Sequence, residues 1–396
     1  MSGFSSRSRF TADRNQLTVA IERALADGRP VLDLTESNPT HAGLSPTGAE
    51  LTALLADDAV ERYEPTPFGL LSARQAVSRE LAAQGHVVPA EHVLLTASTS
   101  EAYGHLFKLL CDPGDAVLVP APSYPLFDVL AQLEQVRLIP YPLSYDGEWH
   151  IAKSAPELAL ANAARSGSEV RAVIVVHPNN PTGSYLKRAE LDALCELGLP
   201  IISDEVFADF ALHDDAERVD SALCAAPSSL VFRLGGLSKA CALPQLKLAW
   251  TALAGPDAQV QAAKARLEHI ADAYLSPGLQ VQLALPRLLA AGAATRARIR
   301  ERAQNNLTLL RGALTESAAS VLRVEGGWYV VLRLPALLDD EAWTLTLLTQ
   351  DDVLVQPGYY YELPGVHLVV SLLVDPDVMR VAAQRLALRI NSVLSE

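Results

Sequence analysis

The chain has 396 residues, 49% of them apolar and 20% charged, with 32 Lys+Arg against 46 Asp+Glu for a formal net charge of −14. That balance belongs to an ordinary globular protein and excludes a disordered or fibrous chain. An acidic surface is also a poor match for a nucleic-acid backbone or an anionic membrane, so neither is expected as a partner. Cys111, Cys195, Cys224 and Cys241 are scattered. They form no C-x-x-C pair to hold a metal or a redox disulfide, which fits a reducing, cytoplasmic setting.

In chain order, residues 1–17 carry Arg7, Arg9 and Arg14 among serines, with no apolar stretch behind them, and are read as an arm rather than a signal peptide. From about Glu91 to Gly255, short apolar runs alternate with amphipathic segments, the pattern of βα units stacked on a mostly buried sheet. Strands are predicted over 92–96, 116–120, 136–141, 172–176, 200–204, 230–235 and 249–253, and helices over 100–111, 124–133 and 187–195. Beyond Pro286 the pattern turns to a long helix rich in Ala, Leu and Arg. A strand over 321–334, a helix over 341–348, strands over 353–357 and 367–373 and a terminal helix complete an α+β second unit. No apolar stretch approaches the roughly 20 residues that span a bilayer.

Chemistry-bearing residues gather at the ends of these runs. Of only six lysines against 26 arginines, Lys239 follows a predicted buried strand in Gly235-Gly236-Leu237-Ser238-Lys239. Burial disfavours the charged amine and makes it a nucleophile or Schiff-base former, whereas the ordinary alternative is a lysine reaching solvent from a strand end. Asp204 closes another predicted strand, a place where carboxylates also cap helices. Ser98, Thr99 and Ser100 lie at a strand-to-helix junction, suited to an anion or simply to capping. Asn179-Asn180-Pro181-Thr182-Gly183 by itself is a turn.

Taken together and in this order, Ser98-Thr99-Ser100-Glu101-Ala102, Pro122-Ser123-Tyr124, Asn179-Asn180-Pro181-Thr182-Gly183, Ser203-Asp204-Glu205 and Leu237-Ser238-Lys239 resemble the fold-type I pyridoxal-phosphate (PLP) enzymes. The resemblance is to the class I/II aminotransferases akin to aspartate aminotransferase. It implies an α/β PLP-transferase fold with a large, mostly parallel α/β/α sheet domain over 46–285 and a smaller α+β domain over 286–396, the segment 1–45 supplying an arm and part of the small domain. It implies that Lys239 links covalently to PLP and shuttles the substrate proton, that Asp204 pairs with the pyridine nitrogen, and that Asn180 donates to the ring O3′ oxygen beside a cis Asn180-Pro181 bond. Tyr124 is implied to stack on the ring, and Ser98, Thr99, Ser100, Ser238 and Lys247 to hold the phosphate. Tyr63 is implied to reach the phosphate of a neighbouring subunit, which makes the protein a homodimer with shared active sites.

The activity implied is transfer of an amino group between an amino acid or amine and a 2-oxo acid. A fold-type I lyase uses the same anchors, and a catalytically weak PLP-binding homologue with a sensing or interaction role is the third reading. The sensing relatives carry an N-terminal DNA-binding domain, for which the segment before Val31 is too short. Four positions depart from the family pattern: Lys247 and Val369 stand where arginines are usual, Gly236 replaces a serine, and Phe207 replaces a tyrosine. The Val369 departure removes the usual fork for a substrate carboxylate and leaves the substrate unassigned. Arg333 and the arm arginines are the candidate replacements, and His269, Asp272 and Tyr274 are candidates to face a neighbouring pocket.

Overall fold

The computed structural model describes residues 3–10 and 14–395. The apolar runs assemble into an eight-stranded sheet with spatial order Val93–Thr96, Ala249–Ala254, Val231–Gly236, Ile201–Asp204, Val170–Val176, Ala116–Ala121, Arg137–Tyr145 and Trp149–Ile151. The pairings from Val231–Gly236 through to Arg137–Tyr145 are parallel. Those that involve Ala249–Ala254 or Trp149–Ile151 are antiparallel. The central strands are mostly apolar and buried because helices cover both faces. Phe107, Phe127 and Leu267 pack from one side, and Val77, Leu191 and Leu285 from the other. Parallel strands send their carboxyl ends to one edge, where an α/β sheet forms its ligand crevice, and the segments that carry Tyr124, Asn180, Asp204 and Lys239 all leave the sheet there.

The second unit is a four-stranded antiparallel sheet, ordered Ser320–Val321, Tyr329–Arg333, His367–Ser371 and Gln356–Pro357. Its core, around Trp343, Leu347, Leu368, Val370, Met379 and Leu386, also takes in Leu34 from the amino-terminal region. Leu32–Asp33 pairs in parallel with Val353–Leu354. The helix Leu279–Leu314 joins the two units, with Leu285 and Leu288 in the large core and Leu307 and Leu310 in the small one. No helix among the described residues is long and apolar enough to cross a membrane.

Two elements differ from the sequence reading. The long helix does not begin after Pro286 but at Leu279, with the proline inside it. Burial of Leu285, Leu288 and Leu289 on both sides of the proline outweighs its local helix-breaking tendency. The strand expected over 321–334 is interrupted, because the N–H groups of Glu325 and Gly326 turn away to the Gly183 carbonyl at 3.2 and 3.0 Å. Helices Gln16–Ala26, Gly48–Leu55, Leu71–Ala83, Ala155–Arg165 and Asp257–Tyr274 lie outside the predicted elements.

That clasp makes Gly183 a demanding position. Its φ is +71°, and a Cβ there would stand 2.4 Å from Val324 Cγ2 and 2.5 Å from the Gly326 carbonyl. Gly183→Ala is expected to cost about 2–4 kcal/mol, combining left-handed strain with overpacking. Urea denaturation of the two proteins side by side measures it.

Candidate active site

The site is built from the strand ends upward. Val231–Gly236 stops at Gly236, and a single helical turn, Leu237–Ala240, swings Lys239 back into the fold. The Lys239 Nζ lies 4.7 Å from the centroid of the Trp328 ring and 5.4 Å from that of Phe207. Burial pulls the amine down to about 8, and Asp204 is the charge that opposes the shift. An amine in this setting is unprotonated far more often than a surface lysine at neutral pH, which is what a nucleophile or proton carrier requires.

Asp204 is the matching acid. Its Oδ1 accepts from the Val206 N–H at 3.2 Å, and its Oδ2 from the Tyr103 hydroxyl at 3.3 Å. Burial raises the carboxyl to about 6 against those bonds, with Lys239 acting in the opposite direction. Tyr103, itself pushed well above the ordinary phenol range by burial and by Asp204, stays a hydrogen-bond donor. Sequence reasoning missed this tyrosine. The available signal was its place on the buried face of the helix that opens at Thr99.

Glu205, the next residue, turns to the opposite side of the strand and anchors it. Its carboxylate accepts from Arg233 Nε at 2.7 Å and from Ser203 Oγ, Ser221 Oγ and the Ala222 N–H, each at 2.9 Å. So complete a shell holds Glu205 ionised despite burial, with Arg233 the chief opponent of desolvation.

Asn180 is buried at 7% exposure, and its Oδ1 has no partner. Neighbouring Asn179 takes the structural bonds, accepting from Thr182 Oγ1 at 2.9 Å and donating to the Pro122 carbonyl at 3.3 Å, which ties this turn to the Ser123-Tyr124 loop. The Asn180-Pro181 bond is cis. Ser98 caps the helix Thr99–Leu110, its Oγ accepting from the Glu101 N–H at 3.1 Å. The hydroxyl accepts from the helix and keeps its O–H as a donor, and the first-turn N–H groups of Thr99 and Ser100 have no intrahelical partner. Ser238 is half-buried in the turn that carries Lys239.

Other expected residues stand farther out. Tyr124 is 45% exposed and lines a cleft with Tyr359 and Tyr360. Lys247 is exposed in a left-handed conformation after the turn Pro244–Leu246. Tyr63 is 72% exposed in a second cleft with Asp272, Leu275 and Gln282. Tyr274 packs on His105 at 5.0 Å between ring centroids, beneath Lys108, as an ordinary helix contact, and His269 is exposed.

Three of the four departures from the family pattern, Gly236, Phe207 and Val369, sit in close local packing, whereas Lys247 is exposed. A Cβ on Gly236 would stand 3.1 Å from the Ala249 Cβ, so the adjacent strand leaves little space for a serine. Phe207 packs edge-on against Trp328 at 5.2 Å. Val369 is fully buried among Tyr329, Val331 and Tyr361. Of the proposed cationic substitutes, Arg333 is exposed near the end of its strand and Arg14 pairs with Glu22 at 3.1 Å on the surface. The backbone carbonyls of Arg7 and Arg9 accept from the Gln132 side chain at 3.1 and 3.0 Å, which holds the arm against the helix Leu126–Glu134.

Comparison with known proteins places this geometry in context. The profile of the family "Aminotransferase class I and II" matches residues 29–386. The glutamate-pyruvate aminotransferase AlaA of Escherichia coli is 26% identical over 358 residues, 87% of this chain and 86% of its own. An alanine aminotransferase of Mycobacterium tuberculosis is 26% identical over 371 residues, 87% of this chain and 81% of its own. Among solved structures, an alanine aminotransferase from Pyrococcus furiosus superposes with a TM-score of 0.85 at 21% identity, over 95% of this chain and 96% of its own.

The acid and amine carry a stability signature in the ligand-free protein. With its carboxyl raised from 3.8 to about 6, Asp204 favours the folded state while neutral, and that contribution is lost as pH rises through 6. Asp204→Asn should therefore be more stable than the parent at pH 7.5, by about 1–2 kcal/mol, and indistinguishable from it near pH 4. Urea midpoints at the two pH values check the sign.

Proposed function

This chain belongs to the class I and II aminotransferases, an α/β PLP-transferase fold whose members transfer amino groups, and on that premise we propose that its cofactor is PLP, carried by Lys239. The observation that supports this most directly is the half-buried Lys239 amine, set against Trp328 and Phe207 with Asp204 as its opposing charge. The residues suit the group: an amine of lowered basicity for the carbonyl carbon, a carboxylate for a pyridinium N–H, a buried side-chain amide whose NH2 can donate to O3′, and a helix N-terminus for a phosphate.

Bound PLP supplies an electron sink for the substrate Cα. The chain's residues supply the rest. Lys239 would hold the cofactor covalently and, as a free amine, would carry the proton from the substrate Cα to the C4′ carbon of the cofactor. Asp204, oriented by Tyr103 and the Val206 N–H, keeps the pyridine nitrogen protonated. Asn180 would hold the ring oxygen O3′ through its side-chain NH2, and Tyr124 would pack on the ring. Ser98, Thr99, Ser100, Ser238 and Lys247 would bind the phosphate; the Ser98 Oγ that accepts from the Glu101 N–H keeps its own O–H to donate. Trp328 and Phe207 shield the amine from water and keep it a base.

In this reading Tyr63 completes the phosphate site of a second copy. An aromatic ring 72% exposed beside Leu275, itself 60% exposed, is a surface that a partner subunit would cover. Four free cysteines fit a cytoplasmic enzyme. The names of the relatives point to a small amino acid and a 2-oxo acid, but the donor and acceptor are left open because Val369 changes the wall that would meet a carboxylate.

Borohydride reduction of the holoenzyme should fix the cofactor on Lys239, and Lys239→Ala should abolish turnover while leaving the fold intact. Labelling of Lys108 or another lysine would refute the assignment. Asp204→Asn should lower turnover at least about a hundredfold. In a half-reaction with a panel of amino acids and amines, an aminotransferase leaves the pyridoxamine form, which a 2-oxo acid reverses. A lyase leaves PLP unchanged and releases ammonia.

A further inference from the structure

The register of the small sheet fixes which side chains share the face turned to the large unit. Tyr329 is opposite Ser371, Val331 opposite Val369, and Gln356 opposite Val369 on its other side. Cross-strand partners project to the same face, so these five form one wall. Tyr329, Val331 and Val369 belong to the same apolar cluster as Phe207, Leu237 and Trp328, the surroundings of Lys239. Val330, Leu332, Leu368 and Val370 point the other way, into the small core. None of these five is charged; Arg333 and His367 continue the same face at the end of the strands, where Arg333 is exposed.

Beside the Tyr329 and Ser371 hydroxyls, Gln356 is the wall's side-chain amide, with two N–H donors. Its Oε1 accepts from the Tyr361 hydroxyl. Tyr361 is 4% exposed, lies in the same cluster, and accepts at its backbone carbonyl from the Ser123 N–H at 3.3 Å, beside Tyr124. Burial raises the Tyr361 phenol, so it remains a donor. With Oε1 engaged, the half-buried amide has two N–H donors left, and no group among the described residues takes them.

We propose that the Gln356 amide, oriented by Tyr361, is the donor that recognises the substrate oxygen at this wall, and that this subsite does not discriminate a carboxylate from an uncharged carboxamide, ester or alcohol. The inference rests on the aminotransferase reading of Lys239. An amide bonds a carboxylate more strongly than a carbonyl, but the carboxylate loses more hydration against Val331 and Val369, and the two differences offset. A guanidinium in the same place would favour the anion strongly. Gln356 is therefore a specificity-determining residue, and Tyr361 positions it.

The test uses 2-aminoisobutyrate and 2-aminoisobutyramide, which carry the amine but no Cα hydrogen and so report binding without turnover, titrated against holoenzyme by absorbance. The two dissociation constants should agree within about tenfold. Gln356→Leu should weaken both by about tenfold, Tyr361→Phe should weaken both by less, and Gln356→Arg should favour the carboxylate by more than about tenfold. A parent preference for the carboxylate above about tenfold, unchanged constants in Gln356→Leu, or failure of both probes to bind would overturn the proposal. Borohydride labelling of each variant separates the two levels of failure. With the cofactor on Lys239, such results sink the Gln356 assignment alone, and without it the underlying reading falls as well.

Discussion

A lysine amine and an aspartate carboxyl half-buried within each other's field are the constraint around which the rest of the molecule is arranged. Lys239 is held near 8 and Asp204 near 6 because the fold takes much of each out of water, and each moderates the other's shift. Neither state is one a chain adopts for its own stability. Desolvated charges cost free energy that the large apolar core must offset, and the return is a base and an anion ready near neutral pH.

Holding the pair in place falls to groups one layer away. Tyr103 and the Val206 N–H orient the Asp204 carboxylate, and Glu205, saturated by Arg233, two serines and a backbone N–H, locks the same strand end from the opposite side. The second unit contributes Trp328 as a wall of the lysine pocket, and the Gly183 carbonyl receives N–H groups from Glu325 and Gly326 just before it. The aromatic wall and the turn that carries Asn180 are thereby fixed relative to one another.

Three of the positions that depart from the family pattern follow from that packing. Gly236 sits against Ala249, Phe207 against Trp328, and Val369 between Val331 and Gln356, so each substitution belongs to a locally consistent apolar arrangement. The cationic residues that might have stood in for the missing guanidinium are held elsewhere or face solvent. The polar capacity on the wall comes instead from an amide.

Much of this was legible in the sequence. Alternating apolar runs predicted the large sheet, because a strand covered on both faces must be apolar along its length, and the ordered motifs placed Lys239, Asp204 and Asn180 at strand ends on one edge. The same reading put the long helix after Pro286 and ran one strand through Gly326 and Gly327, because local propensity carries no information about the distant groups that pack there. Tyr103, Trp328 and the Gln356–Tyr361 pair were invisible for the same reason: their roles depend on partners far along the chain, as when Tyr103 meets Asp204. Composition and periodicity determine which residues are buried and on what kind of element. Which buried groups meet is decided by register and by the approach of the two units, and it is in those contacts that pKa values and specificity are set.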